Sequence, residues 1–171
     1  LKVFSIQESG REPERALESI DKELEDKTIT GWERTPRLHE REKMLKFKES
    51  IAHLKDSDVV IGLTHYPLSP RWFSASYSPD YIRLNYDLVL AGHYHGGQIR
   101  VPIYGALYIP EYSLSRHGYL PPQDKVRGLT TVGGVKQYIS GGLGATGAVS
   151  PLRFRLFNTP ELNVIKLTKE R

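Results

Sequence analysis

Asp87-Leu88-Val89-Leu90-Ala91-Gly92-His93-Tyr94-His95-Gly96-Gly97-Gln98 is a short apolar run that stops abruptly at two histidines spaced i, i+2 and a glycine pair. Asp87 to Ala91 reads as a short buried strand, and the end of such a strand is where an α/β sheet presents functional side chains. Gly92 lets the chain leave the strand without steric conflict. Gly96 and Gly97 permit positive φ and a close approach of main chain to a bound ion or anion. Imidazole is the commonest nitrogen ligand for zinc, iron, manganese or nickel, and two imidazoles separated by one residue can reach two adjacent ions. The competing reading is a turn carrying two solvated histidines.

A third histidine repeats the pattern. Val59-Val60-Ile61-Gly62-Leu63-Thr64 is a second, almost wholly apolar and β-branched run, and it ends in His65-Tyr66-Pro67. Continuous apolar strands suit a sheet covered on both faces, so two neighbouring strands are expected to deliver His65, His93 and His95 to one edge. A lone histidine after a strand is more often structural than a ligand; here the second pair supplies independent support for a metal site.

These segments together resemble the calcineurin-like metallophosphoesterases, especially a bacterial subgroup with an AGHTHGGQ block followed by an aromatic and proline-rich stretch. The resemblance runs from about Val59 to Leu167. GLTHYP is similar to the family's histidine-after-strand motif, AGHYHGGQIRVPIYG to its GHxH block, and YISGGLGATG to its late strand and glycine loop. The closing PLRFRLFNTPELNVIKL is similar to the subgroup's last strands. The resemblance implies an α/β fold, the second half of an αββα sandwich with mixed β-sheets. It further implies two divalent metal ions (Mn, Fe, Zn or Ni), His65 and His93 on one and His95 on the other, with a bridging water or hydroxide. Tyr94 stands where the family usually has Thr.

The family's earlier motifs, DxH, GDxxD and GNHE or GNHD, supply its first carboxylates, a bridging Asp, an Asn ligand and a catalytic His. None of them occurs in this sequence. The expectation is therefore that residues 1–171 form a single partial domain, the C-terminal half of such a phosphoesterase, entering near an internal strand at Leu1 to Ile6. The missing N-terminal half of that domain is then its first partner, and this chain alone lacks the means to complete the site.

Composition fits that picture. A chain of 171 residues can bury a real core, while 15 glycines and 11 prolines imply many turns. With no cysteine, any metal must be held by nitrogen and oxygen ligands. No apolar stretch approaches the roughly 20 residues needed to span a bilayer, and no signal peptide is visible. The compartment is left open, a membrane-peripheral place included. Residues 1–58 carry 12 Lys/Arg against 14 Asp/Glu, and residues 59–171 carry 12 against 6, so net charges of −2 and +6 put the histidines in the basic part. That sign favours anionic substrates such as phosphate esters. The arginines are scattered without a dense run, which argues against nucleic acid as a partner.

Along the chain, Glu12 to Lys27 reads as a surface helix with Ala16, Leu17, Ile20 and Leu24 on one face. Thr28 to Pro36 should break it. A second amphipathic helix is expected from Arg37 to about Lys55, with Leu38, Met44, Leu45, Phe47, Ile51 and Leu54 turned inward. Pro67 to Pro79 reads as a loop holding Arg71, Trp72 and Phe73, before a short helix that Ser78 caps and Pro79 starts. From Ile99 the chain becomes Gly-, Pro- and Tyr-rich, as a β-rich edge would. Gly142-Leu143-Gly144-Ala145-Thr146-Gly147 matches G-x-G-x-x-G, but prolines at 151 and 160 leave no helix for it to open, so a nucleotide fingerprint is set aside in favour of a loop that supports the metal site from behind or approaches the substrate.

The reading that results is metal-dependent phosphoester hydrolysis, of a diester by resemblance to enzymes acting on lipid-linked or nucleotide substrates. Tyr94, Arg71, Trp72 and Phe73 are the candidate substrate contacts, with the aromatics as an apolar rim or, equally, as core. The alternative is an inactive binding or regulatory module that keeps the phosphoesterase fold.

Overall fold

The structure, a computed structural model, describes residues 1–6, 12–73, 84–109, 118–145 and 154–168. It comprises two compact units, Leu1–Gly62 with Arg71–Asp87, and Leu63–Pro70 with Leu88–Arg171.

In the first unit, helix α1 (Pro13–Glu25) begins where the Glu12 carboxylate accepts from Arg15 N at 3.0 Å. Pro13 sits at a helix start, where its missing N–H costs nothing. Ala16 and Ile20, one turn apart, are buried. Helix α2 (Gly31–Ala52) starts six residues before the expected Arg37. The reason is a capping box: Thr30 N–H donates to the Glu33 carboxylate at 3.2 Å, and the Thr30 carbonyl accepts from Arg34 N at 2.8 Å. Pro36 is thus carried inside the helix, at the loss of one i to i−4 bond, and the expected break shrinks to residues 26–30.

Met44 and Phe47 are buried, and Phe47 meets Phe4 edge to face with ring centroids 5.9 Å apart. Leu38 and Leu45, expected to face inward, are 48% and 41% exposed. The correction follows from helical geometry, because Leu45 lies one residue and about 100° around from Met44, off the Met44–Phe47–Ile51 stripe. The helices are also joined by Arg41 to Asp21 at 2.6 Å and by Arg37 to Glu23, half-exposed pairs of modest worth.

Strands β1 (Lys2–Ser5) and β2 (Val60–Leu63) complete this unit's described framework. Asp87 pins the start of β2, its N–H donating to Val60 O at 2.9 Å and its carboxylate accepting from Val60 N at 2.8 Å. The helix expected at Ser78 and Pro79 lies outside the described residues.

The second unit is built on β3 (Leu88–Ala91), which runs parallel to β7 (Val135–Ile139) with Ala91 opposite Ile139. β6 (Gly128–Val132) pairs antiparallel with β7, and Gly133 and Gly134, both at positive φ, make the two-residue turn between them. A short ribbon, β4 (Arg100–Val101) with β5 (Gly105–Ala106), follows the histidine turn. The result is a mixed α/β chain with a mixed parallel and antiparallel sheet, compatible with the expected fold class.

Strands expected in the closing segment are not found among the described residues: Leu156 makes one isolated bridge to Ile99, and 158–168 has no regular secondary structure. Side chains hold it instead, Ser140 to Asn163 at 2.6 Å and Asn163 to the Tyr138 hydroxyl at 2.8 Å. No helix among the described residues is long and apolar enough to cross a membrane.

The Phe47 stripe generates the first test. Phe47→Ala should destabilise the first unit by about 3–5 kcal/mol, whereas Leu45→Ala should change it by roughly 0.5 kcal/mol. Urea unfolding followed by Trp72 fluorescence measures both, and equal losses would return Leu45 to the core.

Candidate metal centre

The site is assembled by main chain before any imidazole is involved. The His65 carbonyl accepts from His93 N at 2.9 Å and from Gly92 N at 3.4 Å, while Thr64 N donates to Leu90 O at 3.0 Å. These bonds bring the residues following β2 and β3 into register. His65 Nε2 and His93 Nδ1 consequently face each other at 2.7 Å, their rings 4.6 Å apart at 70°. Tyr66 flanks the pair, its ring centroid 4.2 Å from that of His93 and 4.8 Å from that of His65. His65 is exposed and His93 half-buried.

Two ring nitrogens this close form one hydrogen bond, with one donating and the other accepting as the tautomers dictate. Both would bind a single ion only after losing that proton from the interface. With metal–nitrogen bonds of about 2.0–2.1 Å, a tetrahedral ion spreads its ligand nitrogens to about 3.3 Å. The pair thus needs to open by a few tenths of an ångström, a small rotation for a side chain at a strand end. The donor set is nitrogen only and converges on one point, so it fits a transition-metal ion of the zinc, iron or nickel type.

At His95 the backbone turns left-handed. Residues 95–98 all have positive φ, at 48°, 66°, 79° and 33°, and the turn carries the His95 imidazole toward the glycine loop, where Cε1 lies 3.9 Å from an ideal Cβ on Gly144. Among the described residues no group of three or more His, Cys, Asp or Glu is gathered as a metal site. The His65 and His93 rings thus face each other directly, while a left-handed turn sets the direction of the His95 ring, which is near enough to feel the charge of His65.

Gly96 and Gly97 are needed for space as well as for φ. A Cβ on Gly97 would lie 2.2 Å from Ala106 Cβ, and one on Gly96 2.8 Å from Asn158 Oδ1. His95 and Gln98 have no such freedom, and left-handed backbone costs non-glycine residues of order 1–3 kcal/mol each, roughly. Polar contacts offset the strain: Asn158 Nδ2 donates to His95 O at 2.7 Å and to Gln98 O at 3.3 Å, and Arg100 Nη1 donates to Gly96 O at 2.8 Å.

The glycine loop is held in the same way. Arg155 donates through Nε to Gly144 O at 2.8 Å and through Nη2 to Gly141 O, while Gly141 N donates to Glu161 at 2.6 Å. Burial pushes the His95 pKa below its ordinary 6.5, and the Arg155 guanidinium pushes the same way; a backbone hydrogen bond with Gly144 opposes them. The ring is therefore neutral at neutral pH, as a ligand must be. Thr146 and Gly147 lie outside the described residues.

The expected apolar rim is corrected in part. Tyr94 is 6% exposed and packs with Ala106, Ile109, Val126 and Ile139, so it is core, its ring centroid 6.1 Å from that of His93. Trp72 is buried within the first unit; Arg71 is exposed and Phe73 half-buried. Four acidic residues of the basic region, Asp80, Asp87, Glu111 and Asp124, are the places to look for further ligands in this sequence: Asp87 is engaged at β2, Asp124 is exposed on a short turn, and Asp80 and Glu111 lie outside the described residues.

Asn158, Arg155 and Arg100 are the residues that motif reading missed. Phe157-Asn158-Thr159-Pro160 reads locally as a turn, and the carbonyls that Asn158 serves lie about 60 residues upstream, beyond any local pattern.

Over 118 residues, 69% of this chain, the sequence is 31% identical to a protein of Bacillus subtilis (strain 168) named uncharacterized metallophosphoesterase YkuE. The chain spans 30% of the length of that curated relative. No protein-family model matches the chain, and neither does a solved structure. The similarity supports a metallophosphoesterase relationship for the region that carries the histidines.

The half-buried His95 carries a pH signature. Above the ordinary value of 6.5 the ring is neutral folded or unfolded, and its contribution to stability is complete. As pH falls below 6.5 and through the lower folded value, the unfolded chain takes up a proton that the folded chain resists, so stability is lost. Between about pH 7.5 and about pH 5, the wild type should lose more stability in urea than His95→Gln does. Parallel losses in the two proteins would contradict the burial of this ring.

Proposed function

We propose that this chain supplies the histidine ligands of a dinuclear, divalent-metal phosphoesterase, His65 and His93 to one ion and His95 to the other. The observation that carries the reading is the facing of His65 Nε2 and His93 Nδ1 across 2.7 Å at two strand ends. The metallophosphoesterase relative supports it at the level of reaction class. Because the match spans 30% of that relative, activity, substrate and partners are proposed here for the whole protein.

Three neutral imidazoles bring no charge to balance two divalent ions. The further ligands must therefore be anionic, and we assign them to polypeptide outside this sequence, in the first half of the same domain. Ions held there supply Lewis acidity, acidifying water as a nucleophile and offsetting charge on phosphoryl oxygens. What this chain's residues do is narrower. His65 and His93 present lone pairs only when neutral. Burial keeps His95 neutral, and the left-handed turn fixes its direction. A net charge of +6 over residues 59–171 favours an anionic substrate, a phosphodiester of lipid-linked or nucleotide type in our reading. Imidazole donors favour Fe, Zn or Ni over calcium or magnesium, and Mn enters our reading through the oxygen ligands proposed for the rest of the site. Of the candidate substrate contacts, Tyr94 and Trp72 are buried, and Arg71 and Phe73 belong to the first unit.

Turnover of a chromogenic phosphodiester by the natural full-length polypeptide, with added Mn²⁺, tests this. His65→Ala and His95→Ala should each lower it by at least the roughly 10- to 100-fold that loss of an outer-shell partner costs a metal site. His53→Ala, at an exposed helix end, should leave it unchanged. Near-normal rates in the first two would defeat the ligand assignment. A wild type without metal-dependent turnover would favour the inactive binding or regulatory module.

A further inference from the structure

We infer that Asn158 is the positioning residue for His95: its carboxamide, donating to the carbonyls on either side of the glycine pair, holds the left-handed main chain from which the imidazole projects. Asn158 is 5% exposed, and its Nδ2 reaches His95 O at 2.7 Å and Gln98 O at 3.3 Å. Those two carbonyls belong to the turn's two non-glycine residues of positive φ, 48° and 33°. The donors are thus placed at the two positions where the backbone departs furthest from what a side-chain-bearing residue prefers.

The orientation of the amide is fixed by its surroundings. Turned over, Oδ1 would face two carbonyl oxygens and both contacts would be repulsive. In the orientation found, Oδ1 is buried with no hydrogen-bond partner. A residue selected only to fill space would leave no acceptor stranded in this way, since an apolar side chain of the same shape avoids that cost. What the site requires from this side chain is the pair of N–H donors. Gly96 is coupled to the same arrangement, because a Cβ there would lie 2.8 Å from Oδ1.

The neighbouring chain extends the grip. Leu156 N donates to Gln98 O at 3.2 Å and Arg100 N to Leu156 O at 2.9 Å, so the segment carrying Asn158 runs beside the turn. Arg155, on that same segment, ties down the Gly144 carbonyl against which the His95 ring lies. One short stretch therefore fixes His95 twice, through its own main chain and through the loop its ring touches. The inference deepens the metal reading and rests on it only for the second part of the test.

The test uses the natural full-length polypeptide and the His95 Cε1–Hε1 resonance, assigned by its loss in His95→Gln. Without metal, the wild type should give one His95 signal with a nuclear Overhauser contact to the Gly144 α-protons. Asn158→Asp keeps the shape and removes both donors. It should broaden or split that signal and abolish the contact while the remaining amide spectrum stays dispersed; Asn158→Ser serves the same purpose should the aspartate variant not fold. In a zinc titration read at His95, the apparent affinity should weaken roughly ten-fold or more in the Asn158 variants. Phe47→Ala, which costs comparable stability in the first unit, should leave it within about two-fold. A single His95 signal with the Gly144 contact intact in the Asn158 variants would overturn the inference. Loss of the contact together with a wild-type ring indifferent to zinc would uphold the positioning role and remove the metal reading.

Discussion

The hydrogen bond from His93 N–H to the His65 carbonyl, 2.9 Å long, is the contact on which the site depends. It is a backbone bond, so it owes nothing to the imidazoles it brings together. It sets the register in which the two histidine-bearing segments leave their strands. Side chains that follow from that register meet at 2.7 Å. Strand ends suit this purpose because the ladder behind them is rigid and the residue just past the end is free to face solvent. Val89, entirely buried in β3, and Gln137, which bonds the Leu68 main chain at 2.5 Å, show how firmly the neighbouring chain is held on either side.

A second constraint works against the first. The backbone must reverse just after Tyr94, and it does so through four consecutive residues of positive φ, two of them not glycine. The space for that reversal is bounded by Ala106 and Val126 beneath Gly97 and by Asn158 over Gly96. Strain of this kind persists only where the surroundings over-determine it. Here the surroundings are a buried carboxamide, an arginine on the Gly96 carbonyl and a closing segment bridged at Leu156 to Ile99. Fold and site are thus coupled through the HGGQ turn: core packing below it and polar clamps above it decide where His95 points.

Much of this was legible in the sequence, for identifiable reasons. The strands before His65 and His93 declare themselves through runs of Val, Leu and Ile, and Gly96 and Gly97 through a requirement for positive φ that the structure bears out. Helix α1 was readable because its apolar residues recur at helical spacing. Helix α2 was read too short, since Pro36 looked like a stop while the Thr30–Glu33 box, six residues earlier, is a stronger start. Leu38 and Leu45 were read as core because hydrophobicity alone does not say which of several apolar residues on a long helix faces the partner. Tyr94 looked available to substrate because alternation gives the side a residue faces and not the depth of the core there. Asn158 and Arg155 were invisible: their partners are carbonyl oxygens far away in sequence, and every residue type offers a carbonyl.

The central claim is that the facing histidines form a metal-binding pair rather than a hydrogen-bonded one. Anomalous diffraction at the zinc edge, from crystals of the natural full-length polypeptide grown with zinc, addresses it most directly. The account predicts a peak about 2.0–2.1 Å from both His65 Nε2 and His93 Nδ1, with the two nitrogens parted to roughly 3.3 Å. No peak between them, and nitrogens still in contact at 2.7 Å, would contradict it.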